Sequence, residues 1–252
     1  MLKRSVKNIF IVGGSALMLL ILIGFTSSKN AGRAIHDVII DIEQKDGNFF
    51  VDKPEVLSLL NAQNTDYVLG LPIGEVDLKL LERRLEEHSF VEEAQVAYDL
   101  RGNLLVDIDQ SKPIARIYDP RGPDNYINFN GKLLPFNSKH TARVPLLELD
   151  KKVSWEENLN ETEEGARLFE LLNYIEADEF WKAQIAHLIL KKNGDIEMIP
   201  QVTKQKIVFG TPEDIEDKFR RLEVFYKDIL PNKGWNTYAV VNLKFKDQIV
   251  CK

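Results

Sequence analysis

FVEEAQVAYDLRGNLLVDIDQSKPIA, residues 90–115, alternates apolar and polar side chains on either side of a single break. Ala94, Val96, Tyr98 and Leu100 fall on one face of the first run; Leu104, Val106 and Ile108 share a face in the second. A period of two belongs to a half-buried strand. Arg101-Gly102-Asn103 between the runs predicts a hairpin turn. Immediately upstream the period becomes helical. Asp77 stands as N-cap to LKLLERRLEEH, where Leu78, Leu81 and Leu85 face one way and charges the other. A loop with Gly70, Pro72 and Gly74 precedes it. Before that, VDKPEVLSLLN offers Asp52 as cap, Pro54 in the first turn and Glu55 as in a capping box, with Val56, Leu59 and Leu60 as the apolar face. Lys45-Asp46-Gly47-Asn48 is a turn cluster, and HDVIIDIE (residues 36–43) predicts a strand. The order is strand, helix, helix, strand, strand.

That order suits any small α+β module, but three local patterns resemble the POTRA family. Residues 77–85 resemble its second helix, Phe90-Val91-Glu92-Glu93-Ala94-Gln95-Val96 its entry to the hairpin, and Lys112-Pro113-Ile114-Ala115 its "[KR]-x-P-x-A" exit. Phe90 stands where the family commonly has proline.

Further out, NIFIVGGSALMLLILIGFTSS (residues 8–28) holds no charged side chain. As a helix it spans about 31 Å, the thickness of a bilayer's hydrocarbon core. Lys3, Arg4 and Lys7 precede it and only Lys29 and Arg33 follow closely, which predicts a cytoplasmic N-terminus with the rest on the far side. A cleaved signal peptide is the rival reading, but such apolar regions are typically about 7–15 residues long, and no A-x-A follows here. The expected division is an anchor at 1–35, a POTRA-like domain at 36–113 and a second domain at 114–252.

Residues 1–33 contain five of the 33 basic and none of the 39 acidic side chains, leaving the remainder at −11. That balance argues against nucleic acid and against a polybasic membrane patch. The single cysteine, Cys251, rules out an intrachain disulfide and any C-x-x-C site.

The second domain is rich in strands. Tyr126–Phe136 forms a hairpin about Asn130-Gly131, with Pro135 confining the second arm to an edge. Val144–Leu149 is a strand. A helix starts at Thr162, with Ala166, Phe169, Leu172 and Ile175 on one face, and a short helix follows at 179–184. Ile185–Pro200 is a hairpin about Asn193-Gly194, and Gln205–Gly210 a further strand. Thr211-Pro212-Glu213-Asp214 predicts a capped helix start, with Ile215, Phe219, Leu222, Phe225 and Ile229 as its buried stripe. In the final run, Ala239, Val241, Leu243 and Phe245 alternate with Tyr238, Val240, Asn242, Lys244 and Lys246.

Nearly the whole chain resembles the FtsQ/DivIB family of bacterial cell-division proteins. Residues 193–197 resemble its strand pair, Lys206–Gly210 its "v-x-l-G" strand, Lys218, Leu222 and Phe225 its "K-x-x-x-L" helix, and Val241–Phe245 its "V-D-L-R-Y" run. Asn242 and Phe245 are mild departures. The implied fold is α+β: one N-terminal transmembrane helix, a POTRA-like β-α-α-β-β domain, then a strand-rich domain ending in a helix and a final edge strand. The resemblance implies an inner-membrane, periplasm-facing scaffold without catalysis or cofactor, which binds the small coiled-coil proteins FtsB and FtsL. Its final strand takes on a partner strand, and the residues implied in that interface are Tyr238, Val241, Lys244, Phe245 and Asp247. The alternating pattern alone equally suits a plain core strand, and by that count Phe245 faces the core.

No HExxH, G-x-S-x-G, P-loop or G-x-G-x-x-G is present, and His36, His88, His140 and His187 lack metal-ligand spacing. Gly13-Gly14-Ser15 could admit close helix contact in the membrane. A POTRA-bearing outer-membrane assembly or secretion factor, or an anchored periplasmic cell-wall enzyme, are the other readings.

Overall fold

A computed structural model describes residues 17–18, 32–44, 47–61, 68–153, 155 and 157–252. The span expected at residues 8–28, with Gly13-Gly14-Ser15, lies outside these except for Leu17 and Met18, as does Lys45-Asp46. Among the described residues no helix is long and apolar enough to cross a membrane. The chain divides into two compact units, one ending at Gln110 and the other starting at Ser111 and including residues 47–50.

The first unit contains β1 (Val38–Glu43), α1 (Lys53–Leu60), α2 (Leu78–Glu86), β2 (Val91–Tyr98) and β3 (Leu104–Gln110), in the expected order. The sheet order is β1-β3-β2, with β1 parallel and β2 antiparallel to the central strand. A parallel pair needs a crossover, and the two helices supply it. Both start where their caps dictate: Asp52 accepts from Glu55 N at 2.8 Å and Asp77 from Leu80 N at 3.1 Å. Val56, Leu60, Leu81 and Leu85 close over Ala94, Val96, Leu104, Val106 and Ile108, all buried. Leu100 is a correction. It is 97% exposed because β2 stops at Tyr98 and the turn begins at Asp99, whose Oδ1 accepts from Arg101 N and Asn103 N. Glu82 and Glu86 of α2 reach the outer side of β2 and accept from Val96 N (3.0 Å) and Ala94 N (3.4 Å), which blunts that edge.

The second unit is built on a nine-stranded sheet. Its strands are β4 (Pro113–Tyr118), β5 (Asn125–Asn128), β6 (Leu133–Pro135), β7 (Leu146–Leu149), β8 (Ile185–Leu190), β9 (Ile196–Pro200), β10 (Lys206–Gly210), β11 (Val240–Asn242) and β12 (Val250–Cys251). They lie in the order β12-β11-β10-β9-β8-β7-β4-β5-β6. Lys112-Pro113-Ile114-Ala115, expected as the exit from the first domain, thus enters β4 of the second unit's sheet. The β5–β6 and β8–β9 hairpins turn where Asn-Gly predicts, with Gly131 and Gly194 at φ +80° and +84°.

Two helical crossovers join parallel neighbours. α3 (Glu163–Ala177) and α4 (Glu179–Gln184) connect β7 to β8. α5 (Ile215–Val224), a π turn (Phe225–Ile229) and α6 (Leu230–Lys233) connect β10 to β11. Leu168, Leu171, Leu172, Ile175, Trp181, Phe219, Leu222 and Phe225 form one core with Leu147, Leu188, Met198, Ile207, Phe209, Val241 and Leu243. The other sheet face carries cross-strand polar pairs, His187 beside Glu148 and Lys206 with Glu197.

The helices bring three corrections. In α3 the buried row is Leu168, Leu171, Leu172 and Ile175, while Ala166 and Phe169 are half-buried. Gly165 sets that rotation: a Cβ there would lie 2.0 Å from the Leu159 carbonyl oxygen. Ala is normally worth about 1 kcal/mol over Gly inside a helix, but sterics reverse the sign at this position. Gly165→Ala should destabilise by about 1–3 kcal/mol, and a rise in melting temperature would contradict the close approach.

Secondly, the helix expected from Thr211 starts at Ile215, after Asp214 at φ +51°. Thr211 spends its hydroxyl on Glu213, and its carbonyl accepts from Lys218 Nζ at 2.7 Å. Burial lowers the Lys218 ammonium pKa below its ordinary value, against the raising effect of Asp214 and Glu213, and the Phe209 ring lies 4.8 Å from Nζ. Thirdly, the stripe does not end at Ile229. The π turn inserts an extra residue, so Tyr226 and Leu230 are buried while Ile229 is only partly so.

Candidate functional site

The last fifteen residues do not make one long strand. β11 keeps only Val240–Asn242, a turn follows, and the chain returns as β12 against β11. Val241 and Leu243 point into the core at 0% exposure, whereas Ala239 is exposed. Phe245, placed on the core face by parity, is 47% exposed because the strand has ended before it. The sheet's edge is therefore Val250–Cys251, one strand beyond the run singled out from sequence.

The ladder shows which groups this edge offers. Val240 and Lys252 exchange both backbone bonds, at 3.1 and 3.0 Å. Val241–Cys251 is then the unbonded pair, and the N–H and C=O of Cys251 turn to the outer side. The opposite end of the sheet is less open: Leu133 N donates to Glu157 O at 2.8 Å, Lys132 bridges to Asn158, and Pro135 has no N–H to give.

The five residues implied in the interface are not equivalent. Tyr238 is half-buried, its ring 5.9 Å from Phe225. Val241 has no surface to offer, which removes its side chain from any contact; the reason is that β12 and the helices enclose it. Lys244, Phe245 and Asp247 sit on the turn and are exposed, Asp247 at φ +59°.

Three groups hold this turn. The Asn242 side chain accepts from Lys244 N at 3.0 Å, a role open equally to aspartate, which explains why asparagine is a mild departure from "V-D-L-R-Y". Lys244 Nζ reaches Asp195 at 2.7 Å. Its stem crosses Gly210, where a Cβ would lie 2.8 Å from Lys244 Cγ. Burial works to raise the Asp195 carboxyl pKa, but bonds from Lys244 and Asn193 outweigh it and hold the pKa below the ordinary carboxylate value. The tie is complete at neutral pH and is lost only as pH falls through that lowered value. Arg221, not singled out from sequence, donates to the carbonyls of Phe245 and Gln248.

The cysteine is half-buried and burial pushes its thiol pKa up, so it is not an activated nucleophile. A cavity of about 370 Å³ is lined by Lys112, His140, Arg143, Glu176 and Lys182 among others. Both lysines pair with Glu176, at 2.9 and 2.7 Å, and among the described residues the lining holds no second carboxylate, serine or cysteine. Among the described residues no group of His, Cys, Asp and Glu is placed to hold a metal ion.

Comparison with known proteins agrees with this architecture. Residues 112–252 match the family described as FtsQ/DivIB, C-terminal related. The chain belongs to the FtsQ/DivIB family. Residues 33–109 match a POTRA-like domain. The cell division protein FtsQ of Rhodothermus marinus is 24% identical over 187 residues, covering 73% of this chain and 68% of that protein. Family membership points to cell division as the process this chain serves.

Proposed function

We propose that this chain is a membrane-anchored, non-enzymatic scaffold of the bacterial division machinery. It binds the small coiled-coil proteins FtsB and FtsL by adding a strand of the partner to β12. The observation that carries the reading is the outward-turned backbone of Cys251 at the end of a nine-stranded sheet. In such strand addition, main-chain bonds supply affinity and flanking side chains specificity. Lys244, Phe245 and Asp247 on the adjoining turn are the side chains placed to discriminate, with Tyr238 and Val241 supporting from below. Lys244 and Lys246 also keep the unoccupied edge from pairing promiscuously. The POTRA-like domain makes the contacts with other division proteins.

Residues 1–35 form the anchor, with residues 1–7 cytoplasmic and the two folded domains, 36–113 and 114–252, in the periplasm. A reporter fused after Lys252 should be active only on the far side of the inner membrane; cytoplasmic activity would overturn the topology. The scaffold reading is tested by co-purification from detergent-solubilised membranes, comparing the full chain with one ending at Gln248. FtsB and FtsL should accompany only the full chain.

A further inference from the structure

We infer that Arg221 is the positioning residue of the edge: it fixes the turn that returns the chain as β12, and so determines whether β12 is presented at all. This rests on the strand-addition reading above and adds a residue that makes no contact with the partner.

The geometry is specific. Residues 243–249 separate β11 from β12, and three carbonyls in that stretch converge on one guanidinium. Nη1 donates to Phe245 O and Gln248 O at 2.7 Å each, and Nη2 to Leu243 O at 3.4 Å. Nε donates to Asp217 Oδ2 at 2.9 Å, one helical turn back on α5. The side chain is 14% exposed. A planar fork with five N–H groups can serve a carboxylate and several carbonyls at once, which a lysine ammonium cannot reproduce. β12 is only two residues long and cannot hold itself by ladder bonds alone. Arg221 thus couples the edge to α5, a helix fixed in the core by Phe219 and Leu222 on either side of it.

Arg220 is the internal control. It pairs with the same Asp217 and, in contrast to Arg221, makes no bond to the turn; its side chain is 75% exposed.

The test uses the full chain in detergent with three variants, Arg221→Ala, Arg221→Lys and Arg220→Ala. Amide exchange is followed at Val240 and Lys252, which bond across the pair, alongside binding of a co-expressed FtsB–FtsL pair. Both Arg221 variants should exchange about tenfold faster or more at these amides, as expected for loss of charge-assisted bonds. Partner affinity should fall by a similar factor, with Arg220→Ala unchanged in both. Arg221→Lys keeps the charge and the Asp217 partner, so it guards against an alanine variant that fails to fold. Unchanged exchange at Val240 and Lys252 in the lysine variant overturns the positioning role and leaves the strand-addition reading standing. Faster exchange with unaltered partner affinity keeps Arg221 as the residue that holds the turn and overturns the strand-addition reading, because a loosened edge that binds as before is not the docking surface.

Discussion

Leu222→Ala should lower the unfolding free energy by about 2–5 kcal/mol, the range for a buried leucine truncated in a packed core. Leu222 has no exposed surface and lies in the same core as Phe209, Phe219, Phe225 and Val241. The site cannot readily collapse around the missing methyls. α5 is tied at both ends, through Lys218 to the end of β10 and through the π turn to Leu230, so its axis has little freedom to move inward. Helix propensity works the other way by a few tenths of a kcal/mol, since alanine is a slightly better helix former than leucine; burial dominates by an order of magnitude. Val224 on the same helix is 48% exposed, and Val224→Ala should stay within about 0.5 kcal/mol of the parent. Urea denaturation of both variants decides the matter: a near-zero change for Leu222→Ala would mean that the stripe is not buried.

Most of the fold was legible because its determinants are local. Asp52, Asp77 and Thr162 cap the helices they were expected to cap, because a short side chain needs to reach an amide only three residues on. Asn130-Gly131 and Asn193-Gly194 turn as expected because positive φ is a property of the residue itself. The β-α-α-β-β order of the first unit follows from changes of period along the chain, and the parallel β1–β3 pair follows from that order.

What was not legible depends on partners distant in sequence or on a count that slips by one. Thr211 looks like a cap, yet its hydroxyl and carbonyl are claimed by Glu213 and Lys218. Ile229 fits the helical repeat until five residues wind as a π turn and hand its place to Leu230. Leu100 and Phe245 satisfy a strand's parity beyond the point where the strand has stopped. Arg221 is the clearest case. Its acceptors are backbone carbonyls 22–27 residues downstream, and a carbonyl leaves no trace in residue identity. The five interface residues were drawn from family resemblance, and the turn that displays three of them is set by groups that periodicity cannot locate.

Ending the chain at Gln248 should abolish recovery of FtsB and FtsL while leaving both folded units intact. The four residues removed include no fully buried side chain: Ile249, Val250 and Cys251 are half-buried and Lys252 is exposed. The loss falls on Val241 and Leu243, which lose part of their cover, so the second unit should weaken by about 1–3 kcal/mol and still unfold cooperatively. The first unit is a separate compact unit and should melt unchanged. Binding responds differently, because the truncated chain ends its sheet at β11, whose outer amides at Ala239 and Val240 were bonded to Lys252. A partner strand could pair with β11 instead, but it would lie one strand spacing, about 4.8 Å, further in and displaced from Phe245 and Asp247 on the turn. Main-chain pairing would be partly restored in that register; the side-chain matching that makes it selective would not. Co-purification from solubilised membranes, with a melting curve on the same preparations, separates the two effects. Loss of partners with a cooperative melt supports the edge. Undiminished recovery of FtsB and FtsL would refute strand addition at β12 and move the search to the POTRA-like domain.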